Sequence, residues 1–159
     1  MTLTDAELRD RLARRVPPTA RLLGMELLEV DQAAGRVRMR FPVRAEFCNP
    51  MGTLQGGIIA AMLDDAAATA VIARAGRRLA VPTLEFKVSF LGPARLGAHV
   101  LAEGRCVKLG RVVAFAEADL LEEASGRLLA RMTVTALPQA IEAAASGRDG
   151  PAGPGETPA

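Results

Sequence analysis

The sequence predicts an α+β domain in which one long apolar helix is covered by an antiparallel sheet of about six strands. Two observations carry most of that prediction. Residues 56–75 form an apolar run in which Asp64 and Asp65 are the only charges before Arg74, with the length of a core helix. On either side of it the apolar period drops to two, as in strands with one wet face. The order of elements is therefore two strands, a helix, then four strands, and a sheet with an apolar face needs that helix as cover.

Residues 4–15 read as a short amphipathic helix, with Thr4 and Glu7 in a capping-box pattern and Leu8 and Leu12 on one face. Pro17-Pro18 ends it, and residues 19–23 are expected to add a turn of helix. Residues 25–31 and 36–41 alternate polar with apolar and form a hairpin around residues 32–35. An irregular loop with Pro50 and Gly52 leads into the central helix, which Gly76 stops. Residues 81–91, 98–108, 112–121 and 127–137 then read as strands, the first alternating through Leu84, Phe86, Val88 and Phe90. Short separators at 109–111 and 123–126 suit antiparallel hairpins. The expected organisation is a helical segment (1–23), one globular domain (24–138) and a disordered tail (139–159) rich in Ala, Gly and Pro. The central helix carries more apolar surface than one small sheet can hide, which predicts a homodimer or larger assembly.

Composition narrows the function. The chain has 159 residues, a formal net charge of +2, no Trp or Tyr and five Phe, so aromatic platforms for nucleic acid are not expected. No basic block resembles a nucleic-acid arm. Cys48 and Cys106 are too few for a disulfide scaffold and lack metal-ligand spacing. The acidic and basic N-terminus has no signal-peptide core, and two carboxylates in the longest apolar run argue against a membrane span. A cytoplasmic protein without metal or membrane partner is the expectation.

The stretch Asn49-Pro50-Met51-Gly52-Thr53-Leu54-Gln55-Gly56-Gly57, with Asp64 nine residues after Gln55, resembles the motif of the hotdog-fold acyl-CoA thioesterases of the phenylacetate-degradation (PaaI) type. Pro93-Ala94-Arg95-Leu96-Gly97, Lys108-Leu109-Gly110-Arg111 and Ser125-Gly126-Arg127-Leu128 extend the resemblance over roughly residues 20–137. One position departs from the family: its usual His is Gln55 here, and the lone His99 lies on a predicted strand away from the motif.

The resemblance implies an acyl-CoA substrate hydrolysed to acid and free CoA, no separate cofactor, and a dimer or tetramer. Asp64 would activate water or attack the thioester, and packing among Ala60, Ala61, Ala67 and Ala68 would raise its pKa. Gly56 and Gly57 begin the helix, where unpaired N–H groups and the dipole favour negative charge; by resemblance one of them polarises the carbonyl. The family sets this turn across a subunit interface from the acid. Gln55 donates a hydrogen bond but cannot shuttle a proton. Asn49 and Thr83 would hold the water or the site loop, with an Asn-Pro turn and a plain strand residue as the simpler readings. Asp65 points about 100° away around the helix and reads as an interface acid. Arg95, Lys108, Gly110 and Arg111 lie at turns where relatives bind CoA phosphates, although each basic residue alone reads as solvated charge. Cys48, with no His near it in sequence, is not expected to be a nucleophile. A non-catalytic acyl-CoA-binding protein is the alternative that Gln55 favours; an acyl-CoA dehydratase is weaker, because no acid–base pair with a His is visible.

Overall fold

The computed structural model describes residues 3–141. The chain runs through α1 (Asp5–Ala13), α2 (Pro18–Leu22), β1 (Glu26–Asp31), β2 (Arg36–Pro42), a 3-10 turn (Ala45–Phe47), α3 (Gly56–Ala75), β3 (Leu79–Ala80), β4 (Thr83–Phe90), β5 (His99–Leu109), β6 (Ala114–Glu122), β7 (Leu128–Ala136) and β8 (Gln139–Ala140). Six strands form one antiparallel sheet in the order β1-β2-β5-β6-β7-β4. The predicted arrangement of one helix and about six strands is the observed one.

Local chemistry starts the elements where the sequence places them. The α1 capping box is formed by Thr4 and Glu7, and Gly76 ends α3 in the left-handed conformation at φ 61° that glycine adopts at least cost. The expected tail divides. Gln139 and Ala140 pair with Ala80 and Leu79, so the chain stays structured two residues beyond the expected boundary, while 142–159 lie outside the described residues. The backbone groups of Leu79–Ala80 are what hold it there.

The core forms between α3 and the concave sheet face. Ile59, Met62, Leu63, Ala66, Ala67, Ala70 and Val71 are buried, a stripe at the spacing of one helical face. Opposite them lie Ala102, Ala116, Ala118, Leu120, Ala130 and Met132, all buried. So many alanines on both surfaces let the helix settle deeply onto the strands. At Gly104 even a methyl group is too much: an added Cβ would lie 2.1 Å from the Ala66 carbonyl oxygen. A substitution there must push helix and sheet apart, a typical core overpacking cost of about 1–3 kcal/mol.

The convex face is charged. Arg38 reaches Glu29 and Glu103, Arg40 reaches Glu26 and Glu123, and Arg131 holds Asp119 at 2.6 Å. The two sheet edges differ: α1 packs against β1, whereas on edge strand β4 Leu84, Phe86 and Phe90 are 58%, 46% and 57% exposed. Phe86, Val88 and Phe90 share the concave side with buried Val134, Met132 and Ala130. The alternation read from sequence is therefore real in Phe86, Val88 and Phe90, although these side chains stay partly exposed at the sheet edge, and a bulge between Thr83 and Glu85 takes Leu84 out of register.

Candidate active site

The loop before α3 is closed by Asn49. Its Oδ1 accepts from the Met51 and Thr53 amides at 3.0 and 3.2 Å, its Nδ2 donates to Thr53 Oγ1 at 2.9 Å, and its backbone N–H donates to the Thr53 carbonyl at 2.8 Å. Of the two roles that resemblance implied for Asn49, these bonds serve the loop. Thr53 is the partner that sequence reasoning missed. Arg95 joins the same cluster, since Thr53 bridges to it and the Leu96 amide donates to the Gly52 carbonyl.

Gln55 is the N-cap of α3, and its Oε1 accepts from the Ile58 amide at 3.1 Å. That occupies the third amide of the helix. Among the described residues the amides of Gly56 and Gly57 have no hydrogen-bond partner, leaving two N–H groups at the positive end of a 20-residue helix. At both positions a side chain would crowd a neighbouring one. A Cβ on Gly56 would lie 3.1 Å from the Phe90 ring, and one on Gly57 would lie 2.9 Å from Gln55 Oε1. Phe90 was legible only as one beat of an alternating strand; its role against the glycine turn needs the fold.

The second cluster lies two turns further along α3. Thr83, the first residue of β4, donates its hydroxyl to Asp64 Oδ1 at 2.7 Å. Asp64 and Thr83 were separate suggestions from sequence, and the fold brings them together. Asp65 differs from its neighbour. Its Oδ2 is buried with no hydrogen-bond partner among the described residues, and burial, with a smaller contribution from the Asp64 charge, pushes its pKa up to about 6. Sequence reasoning read Asp65 only as an interface acid and did not single out its buried carboxyl. The 108–111 turn belongs to this end of the sheet, because Leu109 pairs with Ala114, Ala114 with Ala136, and Ala136 with Thr83. Lys108 and Arg111 are exposed there, while Gly110 closes the turn through its amide to the Val113 carbonyl at 3.0 Å.

The candidates thus fall into two groups within one chain: Asn49, Gln55, Gly56, Gly57 and Arg95 around the loop, and Asp64, Thr83, Lys108, Gly110 and Arg111 further on. Gly57 and Asp64 are seven residues apart on α3, about 10 Å along the axis. That separation is larger than the roughly 3 Å at which a reacting carbon meets a nucleophile or an oxyanion donor. Cys48 donates its thiol to the Arg44 carbonyl at 3.3 Å, and His99 sits at the start of β5; neither belongs to either group. A hollow of about 700 Å³ on the convex face, under α1, contains none of these residues.

Comparison with known proteins places this geometry among relatives. The family described as the thioesterase superfamily matches residues 51–130. Human acyl-coenzyme A thioesterase 13 is 31% identical over 111 residues, covering 70% of this chain and 78% of the relative. The crystal structure of a phenylacetic acid degradation-related protein from Ralstonia eutropha superposes with a TM-score of 0.74 at 33% identity, covering 82% of this chain and 98% of that one. A variant of the phenylacetic acid degradation protein PaaI from Thermus thermophilus gives 0.67 at 28% identity, over 76% and 98%.

Proposed function

The chain belongs to the thioesterase superfamily, and from that premise we propose that it is an acyl-CoA thioesterase that completes its active site between two copies. It is a thioester hydrolase of the PaaI-like, hotdog-fold kind. The observation that carries the finer reading is the pairing of Asp64 with Thr83, in a helix whose first two amides are unpaired.

In this reading Asp64 is the general base. Thr83 holds one carboxylate oxygen, and the other takes a proton from water as the water oxygen attacks the thioester carbonyl. The developing oxyanion lies against the Gly56 or Gly57 amide of the partner copy, where an aligned helix dipole and donors fixed in place stabilise it. The tetrahedral intermediate collapses by breaking the C–S bond. The CoA sulfur leaves as thiolate and takes up the proton, and the acid is released. Arg95, Lys108 and Arg111 are proposed to meet the CoA phosphates, with Gly110 shaping the turn that presents Lys108 and Arg111.

Two further features support the reading. The β4 edge, bare and apolar beside Thr83, gives a second copy a strand to pair with. Gln55, in the position of the family's His, caps the helix through Ile58, which keeps the glycine amides presented although a proton-shuttling imidazole is lacking.

The test is thiol release from a panel of aryl- and fatty-acyl-CoAs, with Asp64→Asn beside the wild type. Loss of a general base lowers turnover by about a hundredfold or more while acyl-CoA binding persists. Binding of acyl-CoA by the wild type with no turnover of any thioester would instead establish an acyl-CoA-binding protein.

A further inference from the structure

A second cavity lies at the other side of the fold. A pocket of about 290 Å³ opens between α1, the β1–β2 hairpin and the C-terminal half of α3. Its walls are apolar, with Leu8, Leu12, Leu27, Met39, Ile72 and Leu79 among them. Four exposed arginines are among its lining residues: Arg11 in the last turn of α1, Arg15 two residues past its end, and Arg77 and Arg78 just past the cap of α3.

These four stand apart from the arginines that the fold holds in ion pairs. Arg38, Arg40, Arg105, Arg127 and Arg131 each have a carboxylate within 4 Å. Among the described residues, Arg11, Arg15, Arg77 and Arg78 have none, and no Asp or Glu lines the cavity. Four like charges around an apolar mouth repel one another, and an anion between them relieves that repulsion. An apolar body with an anionic head is the chemistry that matches such a site.

We propose that this cavity binds a medium-chain carboxylate, alkyl chain inward and carboxylate among the four arginines. At roughly 30 Å³ for a small group such as water, the space holds about ten non-hydrogen atoms, which corresponds to a chain of about eight to ten carbons. The site is separate from the thioester-cleaving residues. It lies under β1 and β2, while Thr83 begins β4 at the opposite edge of the sheet. Ile72 is eight residues beyond Asp64, about 12 Å along α3.

The test is calorimetric titration of the full chain with decanoate, with decylamine as the charge control. One decanoate per chain is expected, with no comparable decylamine binding. Arg77→Gln with Arg78→Gln leaves the cavity open and weakens decanoate by roughly tenfold or more, the scale of losing a charged hydrogen bond. Ile72→Trp fills the cavity and blocks binding; since the chain has no other Trp, its fluorescence also reports whether the variant is folded. Asp64→Asn leaves decanoate affinity unchanged, which separates this site from thioester cleavage. No saturable binding overturns the proposal, as does binding that survives the double arginine variant or that Asp64→Asn removes. Equal affinity for decylamine would show an apolar cavity without anion recognition and overturn it too.

Discussion

The two edges of the sheet are built to opposite specifications. On β1, Glu26, Glu29 and Asp31 face outward, Glu26 and Glu29 are paired with Arg40 and Arg38, and α1 packs against the strand. Charges and a covering helix are the usual means of stopping a free strand from recruiting another chain. On β4 these safeguards are weak: Glu85 and Lys87 are exposed, but so are Leu84, Phe86 and Phe90, each about half open to solvent. Thr83, which holds Asp64, begins that bare strand. The candidate base therefore hangs from the edge that is prepared to be covered, so assembly and chemistry are expected to fail together.

Charging the bare edge should have the most severe effect. Leu84→Lys with Phe86→Lys puts two cations where a second strand would dock and touches neither Asp64 nor the glycine amides. The expected outcome is a shift to monomer in analytical ultracentrifugation, with a fall in turnover of about a hundredfold or more, the scale of losing an oxyanion donor. Glu29→Lys on β1 is expected to change neither readout. Monomers that retain full turnover would show that one chain suffices.

Thr83→Val probes the same edge on a smaller scale. The valine keeps the shape of the side chain and removes only the 2.7 Å hydrogen bond to Asp64. A bond to a charged group contributes about 1.5–3 kcal/mol, so kcat should fall by roughly tenfold or somewhat more with oligomeric state unchanged. Thr83→Ser, which restores a hydroxyl, should recover most of the loss. Failure of Ser to rescue would point to packing as the role of Thr83.

Most of the fold could be read in the sequence because its signals are local. Period-2 segments, the Thr4–Glu7 cap, Gly76 and the apolar run of α3 each act within a few residues, and each lies where expected. The site was legible only as parts. Asp64 and Thr83 are 19 residues apart, and nothing in their spacing shows that they touch until β4 is laid beside α3. The sequence also does not distinguish two adjacent aspartates by burial, because solvent exclusion depends on what packs around each from elsewhere. Likewise, the four arginines of the second cavity come from two distant segments, residues 11–15 and 77–78, that only the fold brings to one mouth.

Asp65 offers a milder test on the helix between the two edges. Its pKa is raised from 3.8 to about 6 by burial first and by the Asp64 charge second, so the folded state holds a proton that the unfolded state has released between those values. Stability at this site therefore increases as pH falls from above 6 to below 4, and the ionised form is a cost at pH 8. Discounted for its partial exposure, that cost is about 1–2 kcal/mol. Urea denaturation of Asp65→Asn should show a gain of that size at pH 8 that disappears by pH 4. A gain independent of pH would mean that shape rather than charge is the cause.

The smallest effect belongs to the protected edge. Arg40 contacts Glu26 at 3.7 Å and Glu123 at 2.9 Å, with about a third of its side chain exposed, and in the β2–β5 register it lies opposite Leu101, which is only 5% exposed. Two terms are thus lost in Arg40→Ala: an ion-pair network near water, and the alkyl stem that shields Leu101. Exposed ion pairs contribute about 0.2–1 kcal/mol and weaken as salt shortens the Debye length, whereas the stem's packing does not respond to salt. Denaturation at low and at high ionic strength separates the terms. The total loss should stay near 1 kcal/mol, part of it should persist in salt, and turnover and assembly should match the wild type. If Arg40→Ala produced dimer dissociation or lost activity, β1 would be a working interface, and the division between a closed edge and a recruiting edge would fall with it.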